Sequence, residues 1–152
     1  MTLRFNHMEL TVPRGTLDAK TRAEIGQFYG EVFGWETLDV PILGQEGLLL
    51  RTDPETSQFV LVVESRRPVR VPGFDHLGLL LDTRVEVDRA FEAVKRWQER
   101  DIRVETKEYD DLDQGAVTVH AFYVRFLLPL WFDVQCMEWA DGHAPERSWH
   151  YG

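Results

Sequence analysis

An internal repeat is the feature that most restricts how this chain can fold. Residues 5–12, FNHMELTV, return in outline as residues 74–81, FDHLGLLL, so that His76 follows His7 by 69 residues. A repeat of this length is one supersecondary unit, and a single copy could not easily cover its own sheet. The sequence therefore predicts two similar modules that pair in one structure.

The first module, about residues 1–66, has a helix after its first strand. Residues 5–12 alternate apolar and polar side chains, as a half-buried strand does. A helix then begins at Asp18, or at Thr21 where Glu24 would complete a capping box, and ends at the C-cap residue Gly34. Three strands are predicted to follow, at 35–40 with a stop at Pro41, at 46–52 and at 58–64.

The second module, about residues 74–140, repeats this order of elements. Thr83 and Glu86 form a capping box that predicts a helix ending near Arg100. The other segments are strands at 74–81, 102–109, 116–125 and 130–139, a linker at about 66–73 and a tail at 141–152. The predicted fold is a single α+β domain, in which two tandem βαβββ modules form a curved, mostly antiparallel sheet around a central cavity.

Composition limits the partners and the compartment. The 152 residues carry a net charge of −9 with no large basic cluster, so neither nucleic acid nor a membrane is an expected partner. Apolar runs are all far shorter than the roughly 20 residues that a membrane-spanning helix needs. Cys136 is the single cysteine and cannot form an internal disulfide, and residues 1–4 lead directly into a strand. These features predict a cytoplasmic protein.

Two equivalent histidines and one aspartate are the candidate metal ligands. His7 and His76 hold the same place in the two modules, although a histidine on a strand is also often structural. Asp133 lies on the polar face of an otherwise apolar strand, where a metal, an arginine or hydrogen bonds must compensate its burial. Together the three would form a 2-His-1-carboxylate set, which suits Fe(II), Mn(II) or Zn(II).

Arg125 and Glu64 are the candidate catalytic residues. Arg125 would bind a substrate carboxylate or an enolate, or it would neutralise Asp133. Glu64, like Gln58, lies at a strand end and is a candidate fourth ligand, although exposed polar residues are common at such positions. His120 is an odd number of residues from Arg125, so only one of the two can face a cavity.

Several motifs together resemble a known superfamily. They are Phe5-x-His7, Phe28-Tyr29-x-x-Val32-Phe33-Gly34-Trp35, Phe74-x-His76 and Phe132-Asp133-Val134. They are similar to the vicinal oxygen chelate superfamily of glyoxalase I, extradiol dioxygenases, methylmalonyl-CoA epimerase and bleomycin-resistance proteins. The resemblance implies a homodimer, and a divalent metal ion (Fe, Mn, Ni or Zn) on His7, His76 and Asp133. It also aligns Val62 with the fourth ligand of glyoxalase-type members.

Three functions remain as hypotheses at this point. The first is a metal-dependent enzyme that isomerises, epimerises or oxidatively cleaves a small oxygenated substrate, with the ion as Lewis acid. The second is a metal-independent binding or sequestration protein of the bleomycin-resistance type, in which Trp131, Tyr123 and nearby carboxylates hold a cationic ligand. The third is a scaffold or regulatory subunit, which would bind neither a metal nor a small ligand.

Overall fold

The computed structural model describes residues 5–54 and 57–146, which form an α+β fold with two compact units. The first unit consists of the described residues up to Pro72 together with Leu127–Pro129. The second unit consists of Gly73–Phe126 together with residues 130–146. The first contains β1 (His7–Pro13), α1 (Ala19–Phe33), β2 (Glu36–Ile42), β3 (Gln45–Arg51) and β4 (Phe59–Ser65). The second contains β5 (His76–Leu80), α2 (Arg84–Gln98), β6 (Glu105–Glu108), β7 (Leu112–Asp113), β8 (Val117–Arg125) and β9 (Trp131–Trp139).

Each unit contains one mixed sheet in which the first and last strands lie side by side and run parallel. In the first unit the strand order is β1-β4-β3-β2, with β1 parallel to β4. In the second unit it is β5-β9-β8-β6, with β5 parallel to β9 and the short strand β7 beside β8. The other neighbours are antiparallel. The shared pattern confirms the predicted α+β class and its tandem modules.

Both helices begin at side chains that cap their backbone N–H groups. The cap of α1 is Asp18 rather than Thr21, because the Asp18 carboxylate accepts the N–H of Thr21 at 2.7 Å, which also lowers the pKa of Asp18. The predicted capping box of Thr83 and Glu86 is present at the start of α2. Gly34 ends α1 as predicted, in a left-handed conformation with φ of 72°.

Two strand boundaries differ from the prediction. Pro41 does not stop β2, because β2 is the last strand in its sheet order and a proline is tolerated where no further strand needs its N–H. The predicted strand at 102–109 begins late, because the N–H of Val104 closes a turn on the carbonyl of Asp101. Ile102 in this turn is 95% exposed. The short strand β7 lies where the sequence predicted only a loop.

Each helix packs on one face of the sheet in its own unit. In the first unit, a Cβ on Gly26 of α1 would lie 2.8 Å from the Thr37 hydroxyl oxygen, so this close approach requires glycine. In the second unit, the rings of Phe91 on α2 and Phe122 on β8 are 4.8 Å apart. We call the opposite face of each sheet its open face. Buried side chains on the two helix-covered faces include Leu10, Val12, Leu48, Leu50, Val60, Val62, Val124, Phe132 and Val134.

Among the described residues, no helix is long and apolar enough to cross a membrane. Both helices contain 15 residues.

A charged network on the helix-covered face of the second unit joins α2 to β8, β9 and the segment between β6 and β7. His120 Nδ1 lies 2.8 Å from Asp111 Oδ1, and His120 Nε2 lies 2.9 Å from Asp88 Oδ1. Arg84 pairs with both Asp111 and Glu138. Burial alone would lower the pKa of His120, but the two carboxylates outweigh it and raise the pKa. The network therefore stabilises the charged imidazole.

We expect His120 to make folding stability depend on pH. Because its pKa is raised in the folded state, its stabilisation is complete below the ordinary value of 6.5 and is lost as pH rises through the folded value. His120→Gln should cost about 1 kcal/mol at pH 6 and progressively less at higher pH. Urea unfolding between pH 6 and 8.5 measures this difference. His143→Gln, outside the network, should leave the pH profile of the wild type unchanged.

Candidate metal site

The open face of the second unit brings together the predicted ligands of that module. Phe122 faces the helix, so the next residue, Tyr123, lies on the open face, and it pairs with Asp133 on β9. His76 on β5 pairs with Trp131, two residues before Asp133, and therefore lies on the same face. The fold thus places one histidine and one aspartate side by side.

The facing atoms of His76 and Asp133 are both acceptors when the imidazole is neutral. His76 Nδ1 donates to the carbonyl oxygen of Phe74 at 2.8 Å, which leaves the lone pair of the neutral ring on Nε2. This Nε2 lies 3.6 Å from Asp133 Oδ2, too far for a hydrogen bond. In that form the nitrogen lone pair and the carboxylate oxygen repel each other unless a cation lies between them, whereas a protonated imidazole attracts the carboxylate. The bond to a backbone carbonyl is also the usual support of a metal-binding histidine.

Burial makes the ionised form of Asp133 costly. The residue is only 7% exposed, and its Oδ1 has no hydrogen-bond partner among the described residues. Burial raises the pKa of Asp133, and His76 opposes this increase only in part. An unpartnered carboxylate oxygen beside a free imidazole nitrogen is a donor set that fits a divalent cation.

His7 in the first unit also uses its Nδ1 in a hydrogen bond to an oxygen atom. Its Nδ1 donates to the amide oxygen of Asn6 at 2.8 Å, and the Asn6 amide is held in turn by its N–H bond to the carbonyl of Ser57. The His7 ring stacks on Phe59 with centroids 4.9 Å apart and planes within 4° of parallel. Its Nε2 is therefore available to a ligand on the open face of the first sheet.

Strand register identifies the counterpart of Asp133 in the first unit. Asp133 lies two residues beyond the strand partner of His76, and Leu61 holds the same position relative to His7. The sequence alignment that placed Val62 there is wrong by one residue. Leu61 is buried and apolar, so this position of the first unit offers no ligand.

Aromatic rings border the His76–Asp133 pair. The ring of Tyr123 lies 4.8 Å from that of His76, and the ring of Tyr109 lies 4.8 Å from that of Tyr123. Burial and the charge of Asp133 raise the pKa of Tyr123. Its hydroxyl therefore stays protonated and can donate a hydrogen bond.

Arg125 lies on this open face but does not neutralise Asp133. Its Nε and Nη2 donate to the two carboxylate oxygens of Glu105 at 2.9 and 2.8 Å. The guanidinium also covers the ring of Trp131 at 4.5 Å. His120 lies on the opposite face, as the odd spacing predicted.

Glu64 and Gln58 make local contacts in the first unit. The Glu64 carboxylate accepts the N–H of Leu17 at 2.7 Å, and bonds from the backbone N–H groups of Gly15 and Leu17 lower the pKa of Glu64. Glu64 lies on the helix-covered face, opposite the face of His7, and this placement gives it a role in holding the loop before α1. Gln58 donates to the carbonyl of Phe5 at 3.3 Å.

Lys107 is the site residue that sequence reasoning missed. It pairs with Tyr123 in the sheet and so lies on the open face. Its Nζ lies 3.9 Å from the ring centroid of Phe74 and 4.9 Å from that of Tyr109. Alternation alone puts Lys107 and Tyr109 on one face of a strand, but only the register with β8 brings them beside Tyr123.

The described ranges, 5–54 and 57–146, hold no group of three or more His, Cys, Asp or Glu side chains arranged to bind a metal ion. The structure brings His76 and Asp133 together within the second unit. The assignment of His7 as the third ligand stays a prediction.

Neutralising Asp133 should stabilise the metal-free protein. Because the pKa of Asp133 is raised in the folded state, its ionisation favours the unfolded chain above that pKa, and the penalty disappears below the ordinary value of 3.8. Asp133→Asn should gain about 1 kcal/mol at pH 7, or roughly 3 °C in Tm, and nothing at pH 3. Thermal unfolding in a chelator measures the gain. The exposed control Asp110→Asn should show none, and a less stable Asp133→Asn would contradict this reading of the site.

Comparison with solved structures finds several that have this fold. FosX, a fosfomycin resistance protein from Listeria monocytogenes, is 17% identical, with a TM-score of 0.61 over 88% of this chain and 91% of that chain. A glyoxalase family protein from Bacillus anthracis is 16% identical, with a TM-score of 0.60 over 91% and 98%. Another structure of FosX, 16% identical with a TM-score of 0.61 over 90% and 93%, is a complex with Mn(II) and 1S,2S-dihydroxypropylphosphonic acid.

Searches with the sequence itself match no protein-family model and no curated protein. The likeness to known proteins therefore rests on structure. The chain has the fold of FosX and of the glyoxalase family protein.

Proposed function

We propose that this chain is a divalent-metal-dependent enzyme that acts on a small oxygenated organic substrate. The ion would be held by His76 and Asp133 of the second unit and by His7 of the first. The observation that carries the proposal is the buried Asp133 carboxylate, whose Oδ1 has no hydrogen-bond partner among the described residues and whose Oδ2 lies 3.6 Å from His76 Nε2. The cost of burying that carboxylate has a natural explanation if a cation compensates it.

The two histidines support the same conclusion. In each, Nδ1 donates to an oxygen of a residue one or two positions before it on the chain, and Nε2 forms no hydrogen bond within the described ranges. This is the tautomer that a metal ligand needs, and it is set by the protein alone. The Mn(II) in the FosX complex supports a divalent metal in this fold.

The residues around the pair indicate how a substrate would be handled. A bound ion supplies Lewis-acid polarisation of adjacent substrate oxygens, which makes neighbouring carbon atoms reactive. Tyr123 keeps its proton and can donate it in a hydrogen bond to a substrate oxygen. Isomerisation, epimerisation and ring-cleaving dioxygenation are the reaction types that we propose. We also propose that the enzyme is cytoplasmic and, by resemblance, that it is a homodimer.

Metal content tests the proposal directly. Untagged wild-type protein, purified anaerobically without chelator, should contain stoichiometric iron, manganese, nickel or zinc by elemental analysis. His76→Ala, His7→Ala and Asp133→Asn should each lower the metal affinity at least about tenfold in a titration of the apoprotein.

A matched control is His143→Ala. His143 Nδ1 also lies within hydrogen-bond distance of a backbone carbonyl, that of Asp141 at 3.0 Å, but His143 has no place in the proposed site. The metal affinity of the His143→Ala variant should equal that of the wild type. Full metal affinity in both His7→Ala and His76→Ala would refute the metal site. A wild type that binds no metal at all would favour a sequestration protein instead.

A further inference from the structure

We infer that the substrate of this site is a small organic anion whose oxyanion is bound by Lys107. The inference deepens the proposed function by naming a substrate class for the same site. The juxtaposition that carries it is a half-buried lysine ammonium without a carboxylate partner, connected through two tyrosine rings to the His76–Asp133 pair.

Lys107 is a cation whose charge lacks a counterion. Its Nζ lies against the rings of Phe74 and Tyr109, and in the described part of the chain no acidic side chain forms an ion pair with it. Aromatic faces attract an ammonium but accept no hydrogen bond of ordinary strength from its N–H groups. In a chain with a net charge of −9, Lys107 thus keeps a half-buried ammonium that no carboxylate of the described residues neutralises.

Two tyrosine rings lie between Lys107 and the His76–Asp133 pair. Tyr109 contacts Lys107 on one side and Tyr123 on the other, and Tyr123 lies 4.8 Å from the ring of His76. One small molecule could therefore present an oxyanion to Lys107 and a second oxygen toward His76. The ring of Tyr123 lies next to those of both Tyr109 and His76, and its hydroxyl is a hydrogen-bond donor.

Cationic side chains of the protein already lie over three of the aromatic rings near the site. Arg125 lies over Trp131, and Lys107 lies over Phe74 and Tyr109. A cationic ligand would meet these two cations first, and Glu105 balances only one of them. With a divalent ion on Asp133, positive charge on this face would exceed negative charge. These contacts favour an anion and oppose the cationic ligand of the sequestration hypothesis.

The test is a calorimetric titration of apoprotein and Mn(II)-loaded protein with sulfate, acetate and tetramethylammonium at constant ionic strength. Sulfate represents tetrahedral oxyanions and acetate represents carboxylates. The anion that binds more tightly therefore indicates which of these two groups the substrate carries. We expect at least one of the two anions to bind the wild type, with a Kd about tenfold weaker in Lys107→Met. Lys107→Arg should recover most of the affinity. Tetramethylammonium should not bind.

Lys95→Met is the matched control. Lys95 also lies over a phenylalanine ring, that of Phe91, but it pairs with Glu92 on the exposed side of α2. Its removal should leave anion binding unchanged, and circular dichroism checks that both methionine variants fold. Equal anion affinity in Lys107→Met and wild type, binding of neither anion, or tighter binding of tetramethylammonium would each overturn the inference.

Mn(II) affinity, measured in the same experiment, separates the two proposals. Lys107→Met should bind Mn(II) as the wild type does, because Lys107 is not a ligand. Mn(II) binding without Lys107-dependent anion binding would overturn the inference and leave the metal site standing. Lys107-dependent anion binding to a protein that takes up no Mn(II) would support the inference and refute the proposed metal function.

Discussion

The parallel pairing of β5 with β9 is the contact on which the candidate site depends. These strands are far apart in sequence. Their register pairs His76 with Trp131, two residues before Asp133, so the side chains of His76 and Asp133 lie on one face. At that offset the two side chains approach to 3.6 Å without a hydrogen bond between them. A shift of one residue would turn Asp133 toward the helix and separate the pair.

The two units share this pairing but differ in what it presents. β1 and β4 have the same register as β5 and β9, yet the position of Asp133 is taken by Leu61. The first unit therefore keeps its histidine without a carboxylate beside it. A carboxylate at the buried position of Leu61 would need a compensating partner of its own, since a buried carboxylate without a partner destabilises the fold.

Charge on the second unit is divided between the two faces of its sheet. On the helix-covered face, His120 and Arg84 are matched with carboxylates and hold α2 to the strands. On the open face, Asp133 and Lys107 remain without ion-pair partners of full strength among the described residues, and aromatic rings surround them. Paired charges stabilise the fold, whereas unsatisfied ones cost stability and are typical of sites that bind something else.

Local sequence patterns determined the elements of this protein, and the tertiary structure decided the contacts between them. The repeat, the Thr83–Glu86 capping box and the alternation in β9 were sufficient to predict the modules, the start of α2 and the face of Asp133. They could not predict the register that makes Leu61, rather than Val62, the counterpart of Asp133. Nor could they predict the pairing of β6 with β8 that places Lys107 beside Tyr123. Those depend on strands distant along the chain, whose relative alignment is fixed by packing rather than by the residues of either strand alone.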